Sequence, residues 1–578
     1  MMEGLYLKDI QLVLMLHFKL KAMKKITLTI IAAITILSFS CKKSFLNEEP
    51  LDFLTTDNAY ITVKDFEASV NNLYGRVRNE FYSSGEQRPF DYVFGCDLVF
   101  DGQPAATRHT NMVAAYSPLS TEIPLIHWTS LYKIVAESNT IIDRLPASSL
   151  TSAEKTLMEA RAKFFRGMAY RTLAYLYGGV PLSLTESVSP KTDYVRASKA
   201  AVLDQVIVDL KFAAANLPAI NVVQDGQINN LAAYHLLSEV YLAAGQFQNA
   251  VDAATAVIGN PNVGLMTTRF GVKVSDASKN VYWDLFQKGN QNRKNGTNKE
   301  ALWVIQFETD VPGGGTVSTG IAGSYQMERH FAPQFLNFRL AGSSVQPFLY
   351  PISDYTGGRG IGWAIPTRHF SDVIWQSDFN NDLRNAPFNF VREFKVTNPA
   401  HPRFGQTIST INPPAGITVP RRDFYPFQSK VTTPGDHPDG MFQDKSQLLL
   451  KASAGGTYAD QYMFRLAETY LLRAEAYLGL NQLGNAATDI NVVRSRSNAS
   501  AVLPANVNID YILDERMREL GSEEKRRITL MRLGLVYDRV KKFNPYYSDI
   551  LPTYNLWPIP ASEIERNNAA KLDQNPGY

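Results

Sequence analysis

From Asp65 to Asn79 apolar side chains return every three or four residues. Phe66, Val70, Leu73, Tyr74 and Val77 fall on one face, and the spacing predicts an amphipathic helix. Glu122 to Leu145 repeats the pattern through Ile126, Leu131, Ile134, Val135, Ile141 and Ile142, and Pro146 ends it. Thr151-Ser152-Ala153-Glu154 is a capping-box pattern, in which the threonine caps an amide and the glutamate reaches back. The helix it opens is expected to run to about Tyr177 and to stop at Gly178-Gly179-Val180-Pro181. Two later stretches share a helix-turn-helix plan of the tetratricopeptide type. Leu231 to Ile258 carries Ala232, Ala233, Leu236, Leu237, Val240, Tyr241 and Leu242, a turn at Ala244-Gly245, then Phe247, Ala250, Ala253, Ala254 and Val257. Tyr462 to Val493 repeats it with Leu466, Tyr470, Leu471, Ala474 and Tyr477, a turn at Gly479 to Gln482, then Ala486, Ile490 and Val493. These pairs are not contiguous, so they form no continuous solenoid; pairs from both halves should pack together around long insertions. Gly259 to about Gln447 contrasts with them: rich in Gly, Pro, Asn and aromatics, with short strands such as Leu302 to Phe307. The expected class is mainly α, with tetratricopeptide-like helix pairs and long loop-rich insertions holding a few short strands.

The N-terminus follows a different pattern. Met23-Lys24-Lys25 is a basic start, Ile26 to Phe39 an apolar run, and Ser40-Cys41 follows at once. That is the layout of a secretory signal, too short for a comfortable membrane span and closed by Lys42-Lys43. A cysteine directly after it predicts a bacterial lipoprotein with Cys41 as its acylated first residue. Leu37 lies one place further from the cysteine than the common lipobox has it, and cleavage without lipid is the competing reading. Acylation would hold the chain to a bilayer at about 0.8 kcal/mol per buried methylene. Residues 1–22 precede a complete signal and are read as a mis-assigned upstream extension, 23–40 as the signal peptide and 41–55 as the anchored tether.

Composition narrows the function. With 45% hydrophobic and 20% charged residues, the bulk is ordinary globular protein. A net charge of +3 over 578 residues argues against nucleic acid as a partner, which calls for a concentrated basic face. Cys41 and Cys96 are the only cysteines, too few for a disulfide framework or a zinc site. The 28 Tyr, 31 Phe and 6 Trp often stand in Gly/Pro/Asn-rich stretches outside the clear helices; core packing accounts for most of them, and a sugar-binding surface would use the remainder.

Several segments together resemble one family. They are Cys41 with Phe45-Leu46 and Pro50; Trp128 to Ile134 running on to Asn139 and Ile142; and Glu159-Ala160-Arg161 through Phe165-Arg166, Tyr170 and Leu173 to Leu182. Further on come Asn298-Lys299-Glu300 with Trp303 and Gln306, Glu515-Arg516 with Glu519-Leu520, Glu523 and Arg526, Leu556-Trp557-Pro558-Ile559-Pro560, and the terminal Gln574 to Tyr578. In order and spread the chain resembles the SusD/RagB family of nutrient-binding outer-membrane lipoproteins. After Glu523 the family commonly has a glycine and later an aspartate, where this chain has Glu524 and Thr529. The resemblance implies a SusD-like helical fold, with an N-terminal helical domain over 56–260 and a RagB/SusD C-terminal domain over 261–578. It also implies attachment to the outer membrane, facing outward. The implied role is to capture oligosaccharides and pass them to a SusC-like TonB-dependent transporter. A peptide- or protein-binding scaffold of the same fold is the alternative.

No catalytic motif, cofactor site or metal site is expected. His-Glu-x-x-His, a phosphate loop and Gly-x-Ser-x-Gly are all missing, and Gly358-Arg359-Gly360-Ile361-Gly362 lacks a strand–helix context. Asp378, Asn380 and Asp382 alternate like a calcium loop, but Leu383 and Asn389 stand where glycine and the closing glutamate belong. Glu515, Glu519 and Glu523 recur every four residues amid arginines and are expected to share one ion-paired helix face rather than flank a glycosidic bond. Trp128, Trp303 and Trp557 are assigned to the core. Glycan-binding candidates fall in two regions. The loop Phe94 to Thr121 offers Asp97, Phe100, Asp101, Arg108, Asn111 and Tyr116, and the family's inter-helix loop commonly contributes to the ligand site. Tyr350 to Trp363 offers Tyr350, Tyr355, Arg359 and Trp363 among glycines that would keep backbone bulk away from a ligand.

Overall fold

The computed structural model describes residues 13, 15–25, 59–82, 88–103, 109–311, 325–432, 435–456 and 458–578. Cys41, Arg108 and the apolar run before Cys41 lie outside them. Residues 15–25 are helical, and residues 60–578 form a separate compact unit. Its longer helices, in chain order, are α1 Val63–Tyr82, α2 Ile123–Arg144, α3 Ser152–Tyr177, α4 Lys199–Asn216, α5 Asn230–Ala243 and α6 Phe247–Ile258. They continue with α7 Leu466–Gly479, α8 Leu483–Arg496, α9 Ile509–Glu519, α10 Arg526–Leu533 and α11 Val536–Phe543.

Helix α3 is the axis. Its capping box is formed, with Thr151 Oγ1 accepting from Glu154 N at 3.4 Å and Glu154 Oε2 accepting from Thr151 N at 2.8 Å. From Phe164 to Tyr177 every residue is buried, because α2 and α4 lie against it and α5, α10 and α1 close the remaining sides. Two charges inside that stretch are paired, Arg166 with Asp209 of α4 and Arg171 with Glu239 of α5. It ends at Gly178, whose φ of 74° suits glycine, and a Cβ on Gly179 would sit 2.3 Å from the Ala197 carbonyl.

The two expected helix pairs share their turns in detail. In α5–α6, Gly245 takes φ 70° and Gln246 N donates to Tyr241 O at 2.8 Å; in α7–α8, Asn481 takes φ 56° and Gln482 N donates to Tyr477 O at 2.8 Å. The pairs pack on each other through α6 and α7, where Arg473 reaches Thr255 Oγ1 at 3.0 Å, so helices from the two halves of the chain do join. One boundary differs from expectation. Residues Gln461–Arg465 are a strand, and the helix begins only at Leu466. That strand pairs antiparallel with Ala301–Ile305, a better use of Tyr462, Met463 and Phe464 than a helix face would be.

Among the described residues there are five two-stranded ladders, most of whose strands lie in the loop-rich region. They are β1 (Val99–Asp101) with β3 (Ala364–Pro366), β2 (Ala301–Ile305) with β10 (Gln461–Arg465), and β4 (Phe390–Val391) with β7 (Phe427–Gln428). The others are β5 (Glu393–Lys395) with β6 (Thr407–Ser409), and β8 (Phe442–Asp444) with β9 (Leu449–Leu450). Trp128, Trp303 and Trp557 are buried, as assigned. Among the described residues no helix is long and apolar enough to cross a membrane.

Ion pairs lock the C-terminal region to the rest. Helix α9 stops at Glu519 and Glu523 sits in a short 3-10 turn, so the three glutamates do not share one helix face. They are ion-paired nonetheless. Arg384 joins Glu515 and Glu519, Arg465 joins Glu300, Glu519 and Glu523, and Arg496 joins Glu300 and Glu519. Burial alone would raise the Glu515 carboxyl, but Arg384, Arg518 and Arg494 outweigh it and lower it to about 2.

Candidate ligand-binding cleft

A cleft of about 900 Å³ opens in the loop-rich region. Its floor is apolar. Phe394 is the inward residue of β5, and it lies 6.3 Å from Phe427 with rings nearly parallel and 6.4 Å from Phe348 edge-on. The alternation of β5 turns Glu393 and Lys395 the other way, so the rim carries one charge of each sign on that side. Tyr350, Tyr355, Phe404, Trp283 and Phe388 supply rings around the opening. Tyr355 is 64% exposed and Phe404 56%, large fractions for rings in a concavity rather than on a core face.

The Tyr355 turn is rigidly built. Asp354–Thr356 is one 3-10 turn closed by Gly357 at φ 80°, where a Cβ would approach Phe427 to 3.1 Å. Behind it, buried His437 bridges two carboxylates, with Nδ1 2.7 Å from Asp354 Oδ1 and Nε2 3.0 Å from Glu328 Oε2. Burial disfavours the imidazolium, but Glu328 and Asp354 prevail and raise the histidine to about 10. Both ring nitrogens face carboxylates, so this trio is an ion-paired brace rather than a ligand set. Among the described residues no cluster suited to a metal ion occurs.

On the opposite side Lys279 Nζ lies 5.6 Å from the centre of the Trp283 ring and 4.8 Å from that of Phe388. Its backbone is fixed by Arg269, which donates to Lys279 O at 3.0 Å and is itself held by Asp284. Polar reach comes from Gln287, Thr397, Ser446 and Gln447, the last accepting a hydrogen bond from the Tyr350 hydroxyl. The acids lining the cleft are Glu393 and Asp354, and both Asp354 oxygens are engaged, by His437 and by Gly435 N. A pair of free carboxylates facing each other, the usual glycosidase arrangement, is not set up by this lining.

Of the sequence candidates, Tyr350 and Tyr355 line the cleft. Asp97 is fully buried, where Arg526 and Arg539 overcome desolvation and hold its carboxyl well below the usual range. Phe100 is buried and stacked on Tyr546 at 3.6 Å, and Tyr116 is buried beneath the Arg527 guanidinium at 4.2 Å. Asp101 accepts from Gln103 N at 2.9 Å, and Asn111 caps the short helix Met112–Ala115. Arg359 is half-buried, its amide donating to Glu328 at 2.9 Å, and Trp363 is half-buried against His330. β1 and β3 do bring the two candidate regions together, with Gly102 N donating to Trp363 O at 2.8 Å, but away from the cleft lining. The glycines there serve packing. A Cβ on Gly358 would lie 2.0 Å from Glu328, on Gly360 2.1 Å from Ala332 O, and on Gly362 2.2 Å from Arg422 O. Sequence reading missed Trp283, Phe388, Phe404 and Lys279. The Lys279-x3-Trp283 spacing and two unassigned rings in the loop-rich stretch were the only signals available.

Residues 433–578 match the model of the SusD family, and residues 45–242 match a second one described as starch-binding associating with outer membrane. The chain belongs to the SusD/RagB family. Other members run its length. "SusD-like protein P25" of Formosa agariphila is 23% identical across 92% of this chain and 94% of that protein. "Starch-binding protein SusD" of Bacteroides thetaiotaomicron is 36% identical over a shorter stretch of 140 residues, 22% of this chain and 24% of its own. The SusD-like fold is likewise shared with solved structures. A "Laminarin binding SusD-like protein" superposes with a TM-score of 0.63 at 20% identity, covering 90% of this chain and all of that one. "Surface glycan-binding protein A from Bacteroides thetaiotaomicron in complex with laminarihexaose" gives 0.61 at 16% identity, covering 89% and 99%.

Proposed function

We propose that this SusD/RagB protein is a non-enzymatic surface glycan-binding lipoprotein. Anchored through acylated Cys41 on the outer face of the outer membrane, it captures an oligosaccharide and delivers it to a SusC-like TonB-dependent transporter. The observation that carries the binding reading is the ring-lined cleft, with Tyr355 and Phe404 exposed at its mouth over an apolar floor. Sugars present C–H faces that pack on aromatic rings while nearby amides and hydroxyls take their hydroxyl groups. Relatives whose names state starch, laminarin or glycan binding support this assignment. Covering about 100 Å² of ring contributes at most about 2.5 kcal/mol. Two such rings with a few hydrogen bonds give roughly millimolar to micromolar affinity, suited to capture and release.

Affinity electrophoresis and titration calorimetry against a polysaccharide panel that includes laminarin and starch test the reading. Binding of at least one glycan without turnover is expected, and Trp283→Ala with Tyr355→Ala should abolish it while leaving the melting curve in place. Capture of peptides with no glycan bound, or a double variant that binds as the parent does, would overturn it.

A further inference from the structure

Two lysines flank Trp283, Lys273 at 5.7 Å and Lys279 at 5.6 Å from its ring centre. Lys273 is neutralised by Asp436 at 2.6 Å. Lys279 has no carboxylate within ion-pair distance among the described residues, and it lies on the cleft lining. The acid that feels it, Asp276, turns Oδ1 onto Ser278 N at 3.0 Å and Ser278 Oγ at 2.7 Å. The lining holds one more cation, Lys395, which like Glu393 is exposed on β5 and forms no ion pair among the described residues. Glu393 and Lys395 share one face of β5 two residues apart, and Asp354 is met by His437. Among the described residues Lys279 is therefore a cation without an ion-pair partner, set between Trp283 and Phe388 and fixed at its backbone by Arg269. An ammonium ion in that place can donate to a neutral sugar's hydroxyl, but an anionic substituent would add charge attraction to the same hydrogen bond. A sugar stacked on Trp283 and carrying an anionic substituent would place that group within its reach, and a charge-assisted hydrogen bond is stronger than a neutral one.

We propose that the cleft selects an acidic glycan, one bearing uronate carboxylates or sulfate esters, and that Lys279 receives the anionic group. This rests on the glycan-binding reading of the same cleft. The experiment uses matched pairs: acidic polysaccharides (polygalacturonate, alginate, glucuronoxylan) each against its carboxyl-reduced form, and sulfated galactans and fucans each against its desulfated form. The parent protein should prefer the charged member of one pair by about tenfold, the scale of one charge-assisted hydrogen bond. Lys279→Gln should erase that preference and keep residual binding of the neutral form, Lys279→Arg should restore it, and raised salt should weaken only the charged member. Which kind of pair responds separates carboxylate from sulfate. Binding of neutral glycans with no preference in any pair, or a preference indifferent to Lys279→Gln, overturns the inference and leaves the glycan reading standing. Absence of binding to every member, charged or neutral, by a folded protein overturns both.

Discussion

Glu519 is the place where one atom-for-atom change should be felt by the whole molecule. Its Oε1 accepts from Arg465 and Arg496, and its Oε2 lies 3.0 Å from Arg384, with all four side chains essentially without solvent. Glu519→Gln keeps the shape and removes the charge. At an effective dielectric near 20 each contact is worth roughly 4 kcal/mol of attraction, so the three sum to about 12 kcal/mol before desolvation is counted. Most of that offsets the cost of having buried the carboxylate, and Glu300, Glu515 and Glu523 still face the same arginines. Removing one partner of a buried pair leaves a net loss of about 3–5 kcal/mol, a large share of a stability of about 5–15 kcal/mol. Urea unfolding at neutral pH measures it. The acid limb supplies a second check. Burial opposes ionisation, but the arginines hold Glu519 far below its usual 4.5, so its contribution is complete above that value and fades as pH falls through the lowered one. The gap between parent and Glu519→Gln should be constant above about pH 5 and narrow on acidification. A difference under about 1 kcal/mol at neutral pH, or a gap that widens in acid, would refute the idea that this lattice holds the fold.

Other outcomes can be checked with the same protein. His437 is raised from 6.5 to about 10, so its bridge stabilises fully below 6.5 and is lost as pH climbs towards 10. The parent's melting midpoint should drop across that alkaline span, and His437→Gln, already lower, should respond less. Gly358→Ala should cost about 2 kcal/mol or more, because φ is 98° and the added methyl meets Glu328; thermal denaturation and glycan affinity should fall together. Cys41→Ser should move the mature protein from the membrane fraction to the soluble one in a fractionation, and unchanged partition would remove lipidation from the proposed function.

The helices were readable because a residue's neighbours three and four places away decide its face. Phe66, Val70, Leu73 and Val77 are fully buried on α1, and the Thr151–Glu154 box is local chemistry that needs no distant partner. The start of α7 was misplaced where that locality fails. Tyr462 and Phe464 suit either a helix face or a strand, and the choice is made by Ala301–Ile305, a segment far away in the chain. The candidate site was half-readable for the same reason. Tyr355 sits in a turn its own neighbours define, whereas Trp283, Phe388 and Phe404 become cleft rings only when their separate loops are brought together. The loop around Asp97, Phe100 and Tyr116 misled in the opposite direction. A stretch mixing acids, arginine and aromatics reads as an exposed binding loop, because an isolated charge would not leave water. Asp97 leaves it since Arg526 of α10 and Arg539 of α11 arrive from more than 400 residues later, and Tyr116 is capped by Arg527 of the same helix. Whether a charge is buried depends on its pairing, so polarity along the chain misstates exposure wherever the partners are remote in sequence. In this molecule the arginines of the last helices supply those partners, and they draw Asp97 and Tyr116 of that loop into the framework.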